Sequence, residues 1–190
     1  MEQYLLLTPD RQIRGYVDPI EMRDIDSLLA IVRTWVRKGE EVFEDEVEDI
    51  HERMIDAIQG SDDYSYWVLR DKECRVIGMA GLRKPEGEII NCVSSPDKKA
   101  VELVNVFLSS ESRGKKLGRA LIEAVFDIAA QQEYDEVILD SGPRYKETAW
   151  GFYNHVVGEP VSVIEGRYGT NPDGTTRDAP VWRKVLTDQV

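Results

Sequence analysis

The chain has 190 residues, and 36 Asp and Glu against 24 Lys and Arg leave a formal charge of -12. Such acidity argues against nucleic-acid and anionic-membrane binding and favours cationic partners. The length suits a single domain, 1–190, and no stretch approaches the ~20 apolar residues of a membrane span, so a cytoplasmic chain without membrane contact is expected.

In chain order, "IRGYVDPIEM" reads as extended, and in "DIDSLLAIVRTWVRK" Ile25, Leu28, Leu29, Val32 and Val36 recur at helical spacing, with Asp24 as the expected N-cap. "EEVFEDEVEDIHERMIDAI" is a second amphipathic helix, its stripe Phe43, Val47, Ile50, Met54 and Ile58. "SYWVLRDKECRVIGMAGLR" predicts a hairpin around Asp71-Lys72-Glu73, and "AVELVNVFLS" a strand apolar on both faces. A helical stripe follows in Leu117, Leu121, Ile122, Val125, Phe126 and Ala129, then a buried strand in "EVILDSG". "KETAWGFYNHVV" predicts a further helix, and Val161 to Glu165 and Ala179 to Val185 two last strands around "RYGTNPDGTTRD". This order suggests an α/β or α+β fold, a mixed sheet with helices on both faces.

"SSESRGKKLG", Ser109 to Gly118, sits between a strand and a helix and concentrates Arg113, Lys115, Lys116 and nearby Arg119 in an acidic chain. A helix start leaves backbone N–H groups unpaired with the positive dipole end behind them, which suits a phosphate. Gly114 and Gly118 let the main chain approach an anion closely, and cations at a helix start are unfavourable unless an anion offsets them. A solvated basic helix start is the plain alternative. The dinucleotide fingerprint and the P-loop pattern are both absent.

The segment resembles the GNAT superfamily of acyl-CoA-dependent N-acyltransferases. Arg113, Gly114, Lys115, Lys116, Leu117 and Gly118 occupy the positions of [QR]-x-x-G-x-[GA], with Lys116 where the central glycine normally stands, and "VELVNVFLS" precedes them. The likeness extends over roughly 12–186. It implies a mixed, mostly antiparallel central sheet flanked by helices, and acetyl-CoA as co-substrate. It also implies that the coenzyme pyrophosphate rests on the backbone amides of Arg113 to Gly118, with Arg119 nearby, and that the pantetheine arm runs along Val106, Phe107 and Leu108. The apolar pattern changes face near Asn105, as a strand bulge requires.

The resemblance further implies two catalytic groups. Glu102, in an apolar strand, stands where some members carry the base that deprotonates the amine; the alternative is a strand-end carboxylate facing water. Tyr153, in "AWGFYNHVVG", stands where members carry the acid that protonates the departing thiolate; the alternative is a ring in the core. A backbone N–H near Val106 would stabilise the oxyanion. The acceptor is expected to be a primary amine, small or peptidic and cationic, drawn by Glu40, Glu41, Glu44 and Asp45. His51 and His155 have no catalytic partner at recognisable spacing, and Cys74 and Cys92 predict buried or inert thiols rather than a metal site. A homodimer stays open. Two rivals remain: a non-catalytic acyl-CoA-binding or sensor module, and an interaction protein whose acidic helices dock a basic partner.

Overall fold

In the computed structural model the described residues are 4–7 and 13–186. Ten strands and four α-helices follow in chain order: β1 Tyr4–Leu7, β2 Ile13–Pro19, α1 Ile25–Trp35, β3 Arg37–Lys38, β4 Glu41–Val42, α2 Glu44–Ile58, β5 Tyr64–Asp71, β6 Val76–Arg83, β7 Ala100–Leu108, α3 Leu117–Gln131, β8 Glu136–Asp140, α4 Gly151–Val156, β9 Ser162–Ile164 and β10 Ala179–Val185. Eight strands hydrogen-bond in the order β1-β2-β5-β6-β7-β8-β10-β9, a mostly antiparallel sheet, and β3 pairs only with β4. This is the mixed, helix-flanked architecture that the sequence pattern predicts.

The chain forms two compact units, one of residues 1–83 and 103–127 and the other of 84–102 and 128–190, with boundaries inside β7 and α3. In the first unit, Leu28, Ile31, Val32, Val47, Ile50 and Met54 of α1 and α2 pack with Tyr66, Val68, Met79 and Phe107. Most of the predicted stripe residues are buried, but Leu29, Phe43 and Ile58 are only half-buried, and Ile31, outside the predicted stripe, is buried. The second helix starts later than its pattern suggested, because Gly39, at φ 62, lets Arg37–Lys38 fold back on Glu41–Val42. In the second unit, β7 pairs in parallel with β8 over Ala100–Glu102, and β10 lies antiparallel to both β8 and β9. Ile89, Cys92, Ile138, Ile164 and Val181 form its apolar cluster. Cys74, by contrast, is exposed at the β5–β6 turn with φ 61.

Asp24 does not cap α1 with its side chain. Its carboxylate accepts the Glu21 N–H at 3.0 Å and both terminal nitrogens of Arg70, at 3.0 and 2.9 Å. Asp18 takes Nε of the same guanidinium at 3.1 Å. Burial is the reason: a carboxylate that is 1% exposed needs a full charge opposite it, which helix N–H groups alone do not supply. Truncating Arg70 to Ala orphans that carboxylate and is expected to lower stability by about 3–5 kcal/mol, read as a fall in urea midpoint at unchanged m-value.

Candidate functional site

In the first unit β7 runs through Asn105, whose φ is 52. A non-glycine residue in the left-handed region costs roughly 1–2 kcal/mol and disturbs the regular pleat at the position where the apolar pattern changes face. The side chain offsets part of that cost, since Asn105 Oδ1 accepts the Tyr66 hydroxyl at 2.8 Å. Tyr66 is 2% exposed, and burial first of all raises its phenol pKa, so the donor keeps its proton. Beyond Asn105, β6 comes close: a Cβ at Gly78 would lie 2.8 Å from the Phe107 carbonyl oxygen, and Ser109 N–H donates to the Ile77 carbonyl at 2.9 Å.

After β7 the chain makes a short 3-10 turn, Ser110–Ser112, and reaches the basic loop. Gly114 has φ 73 with nothing within 4 Å of where its Cβ would stand, so the backbone there is left-handed and open. Lys116 has φ 62. It occupies the position where the motif usually has glycine, and the reason for that glycine is visible: the backbone needs a conformation that side chains resist. As α3 begins, the Ala120 N–H donates to the Lys116 carbonyl at 3.2 Å, and the N–H groups of a helix's first turn precede its i−4 acceptors and face the loop side. Arg113 is engaged at both ends, its N–H on the Ser110 carbonyl at 3.3 Å and its guanidinium over the Trp35 ring at 4.2 Å. Arg119 Nε pairs with Glu123 at 2.7 Å. Leu117, Leu121, Ile122, Val125, Phe126 and Ala129 are all buried, so the predicted stripe anchors the helix behind this loop. Glu40, Glu41, Glu44 and Asp45 are exposed around the start of α2, and Glu44 pairs with Arg33 at 3.1 Å.

In the second unit Glu102 pairs in register with Ile138 and is 3% exposed, which sets aside the water-facing alternative. Arg167, from the loop between β9 and β10, lies 3.6 Å from its carboxylate and donates from Nε to Asp140 at 2.7 Å. The Tyr168 hydroxyl donates to the other Asp140 oxygen at 2.5 Å. Its ring packs on Gly142, where a Cβ would be 3.2 Å away. Burial, then the Asp140 charge, raises the Tyr168 phenol. One guanidinium thus faces two carboxylates. The sequence offered no spacing signal for Arg167 and Asp140, which lie on different elements.

Tyr153 lies on α4 and is 8% exposed, its ring 5.3 Å from that of Trp182 and 5.5 Å from that of Phe152. The Trp182 indole donates to Asn154 at 2.8 Å, which fixes α4 on β10. The predicted helix over Lys146 to Val157 begins as a π-helical turn, Lys146–Trp150, before α4 proper. Burial, followed by the Asp140 charge and Tyr145, raises the Tyr153 phenol above its ordinary value, so it stays neutral across the working range. Among the described residues, no group of three or more His, Cys, Asp and Glu is placed to hold a metal ion, and no helix is long and apolar enough to cross a membrane.

The family model described as Acetyltransferase (GNAT) family matches residues 28–158, which include β7, the basic loop and α4. The chain belongs to the GNAT acetyltransferase family. Human N-acetyltransferase 8 is 32% identical over 77 residues, 40% of this GNAT chain but only 31% of that protein's length. Among solved structures, a GNAT-family protein from Desulfovibrio desulfuricans superposes with a TM-score of 0.70 at 14% identity, covering 90% of this chain and 98% of that one. A phosphinothricin acetyltransferase from Sinorhizobium meliloti in complex with AcCoA gives 0.66 at 22% identity, over 92% and 89%. A spermidine/spermine N-acetyltransferase from Vibrio cholerae gives 0.62 at 16%, over 91% and 93%. At these identities the likeness is one of fold.

Two physical consequences of this GNAT chain's geometry can be measured. Replacing Lys116 by glycine is expected to raise stability by about 0.5–1 kcal/mol in urea denaturation, because it relieves left-handed strain, whereas Lys116→Ala, which keeps the strain, is not. Tyr66 and Tyr153 have phenols raised by burial. Their contribution to folding is complete below the unfolded phenol value near 10 and is lost as pH rises beyond it. Stability should then fall by about 1.4 kcal/mol per pH unit for each, and Tyr153→Phe should remove its share of that slope.

Proposed function

We propose that the chain, 1–190, acts as one N-acetyltransferase domain that moves the acetyl group of acetyl-CoA directly to a primary amine. The observation that carries this reading is the pairing of a left-handed Asn105 in β7 with a left-handed, cation-bearing loop at the start of α3, inside the segment that matches the family. A left-handed residue in β7 turns its neighbouring backbone groups away from a regular ladder and toward a ligand's amides, and the loop at the start of α3 brings backbone N–H groups and positive charge to a diphosphate. The pyrophosphate would rest on Gly114 to Gly118, with Lys115 and Lys116 adding charge, and the pantetheine arm along Val106, Phe107 and Leu108.

In the reaction, Glu102 takes a proton from the ammonium through a bound water, and the freed amine attacks the thioester carbonyl carbon. The Val106 N–H stabilises the oxyanion. The C–S bond breaks as the adduct collapses, Tyr153 gives its hydroxyl proton to the departing sulfur, and the remaining excess proton of the new amide nitrogen passes to the Tyr153 oxygen, so that coenzyme A leaves as the thiol and Tyr153 ends neutral. A buried phenol is a weak acid, so this transfer has to accompany bond breaking. Arg167 faces both Glu102 and Asp140, and the acidic residues Glu40, Glu41, Glu44 and Asp45, exposed around the start of α2, favour a cationic acceptor. The fold neighbours include an enzyme whose name states spermidine and spermine as substrates, which supports an acceptor of that chemistry.

Thiol release from acetyl-CoA, assayed against polyamines, amino acids, aminoglycosides and basic peptides, should reveal turnover with a cationic amine. Glu102→Gln and Tyr153→Phe should each lower kcat/KM by about 10²–10⁴ while coenzyme A still binds. Tight coenzyme binding without turnover on any amine would instead mark a binding module, and full activity in either variant would remove that residue from its role.

A further inference from the structure

Trp35 touches the segment at the end of β7 and the basic loop in three ways. Its indole N–H donates to the Leu108 carbonyl at 2.7 Å, its ring lies 6.3 Å from that of Phe107, and its face carries the Arg113 guanidinium at 4.2 Å. At the end of β7 the backbone groups alternate. The Phe107 carbonyl and the Ser109 N–H are directed to β6, at Gly78 and Ile77, and the Leu108 carbonyl between them goes to Trp35. Neighbouring residues of a strand present their polar groups to opposite edges, so the indole marks the β7 edge that faces away from β6.

We propose that Trp35 is a positioning residue of the donor site, setting the basic loop against the end of β7; the inference rests on the reading that this loop holds coenzyme A. Charge supplies the reason for an indole. A carboxylate opposite Arg113 would hold it equally well but would cancel the positive charge, as Glu123 does for Arg119. An aromatic face holds a guanidinium and leaves its charge available to an anion. The N–H bond to Leu108 ties the same ring to the strand, so one side chain fixes both the direction in which β7 ends and the place where the loop begins. None of these contacts reaches the acyl carbon or the amine, so Trp35 should govern donor affinity more than chemistry.

The test is calorimetric titration of coenzyme A into the wild type, Trp35→Phe and Trp35→Ala, with steady-state kinetics in acetyl-CoA. Trp35→Ala is expected to weaken coenzyme A binding and raise KM for acetyl-CoA by about tenfold, with a smaller fall in kcat. Trp35→Phe, which keeps a face for Arg113 but has no N–H for Leu108, should recover part of that loss; if the alanine variant does not fold, the phenylalanine variant carries the test through a smaller rise in KM. An unchanged dissociation constant in the variants, or equal losses in both that show only as lower thermal stability, would overturn the proposal and leave Trp35 as packing. Failure of the wild type to bind coenzyme A would overturn the donor reading of the loop itself, a different result.

Discussion

A left-handed asparagine in the middle of β7, held by a buried tyrosine, is the constraint on which the end of β7 and the basic loop depend. A regular strand would commit its polar groups to neighbours along its whole length. The left-handed backbone at Asn105 costs energy, and the surrounding structure supplies what holds it: the Tyr66 hydroxyl on the side-chain oxygen, and a glycine at position 78 that lets β6 close in on Phe107. A strand disturbed in this way has an edge whose polar groups can serve a ligand. The same logic governs the loop beyond it, where Gly114 and Lys116 both take left-handed backbone so that the chain can turn into α3. At Lys116 the strain is borne by a side chain with a charge to offer, an arrangement that makes sense if an anion comes there.

Charge is distributed with similar economy. In each unit a single guanidinium lies between two carboxylates: Arg70 with Asp18 and Asp24, and Arg167 with Asp140 and Glu102. The first cluster fixes the entry to α1 against β5 and needs nothing further, because Arg70 makes close hydrogen bonds to both acids. The second is looser on one side, with Glu102 at 3.6 Å, and adds the Tyr168 hydroxyl on Asp140. The basic loop concentrates cations in a chain of formal charge -12, and there the Arg113 guanidinium rests on the Trp35 indole.

Family membership and fold were legible because they rest on local periodicity and on one short motif. The stripes of α1, α2 and α3, the hairpin of β5 and β6 and the strand-loop-helix around Arg113 to Gly118 each need only neighbours in sequence to be recognised. Even the disturbed pleat at Asn105 left a trace, since one extra residue inverts the alternation of apolar side chains. Elements too short or too exposed for periodicity escaped: β1, the β3–β4 turn and the π-helical start of the segment before α4.

What the sequence by itself determined, then, is most of the segments that fold as helix or strand and the family motif they carry; Glu102 and Tyr153 came as candidates from the family resemblance. Only the tertiary structure decided what faces those groups. Asp24 left its capping role for Arg70, 46 residues away; Trp35 found Leu108, 73 residues away; and Arg167 came to lie between Glu102 and Asp140. The physical reason is common to all three. A buried charge or N–H takes whichever partner the packed strands bring within about 3 Å, and that choice is made by burial and topology, which have no period in the chain.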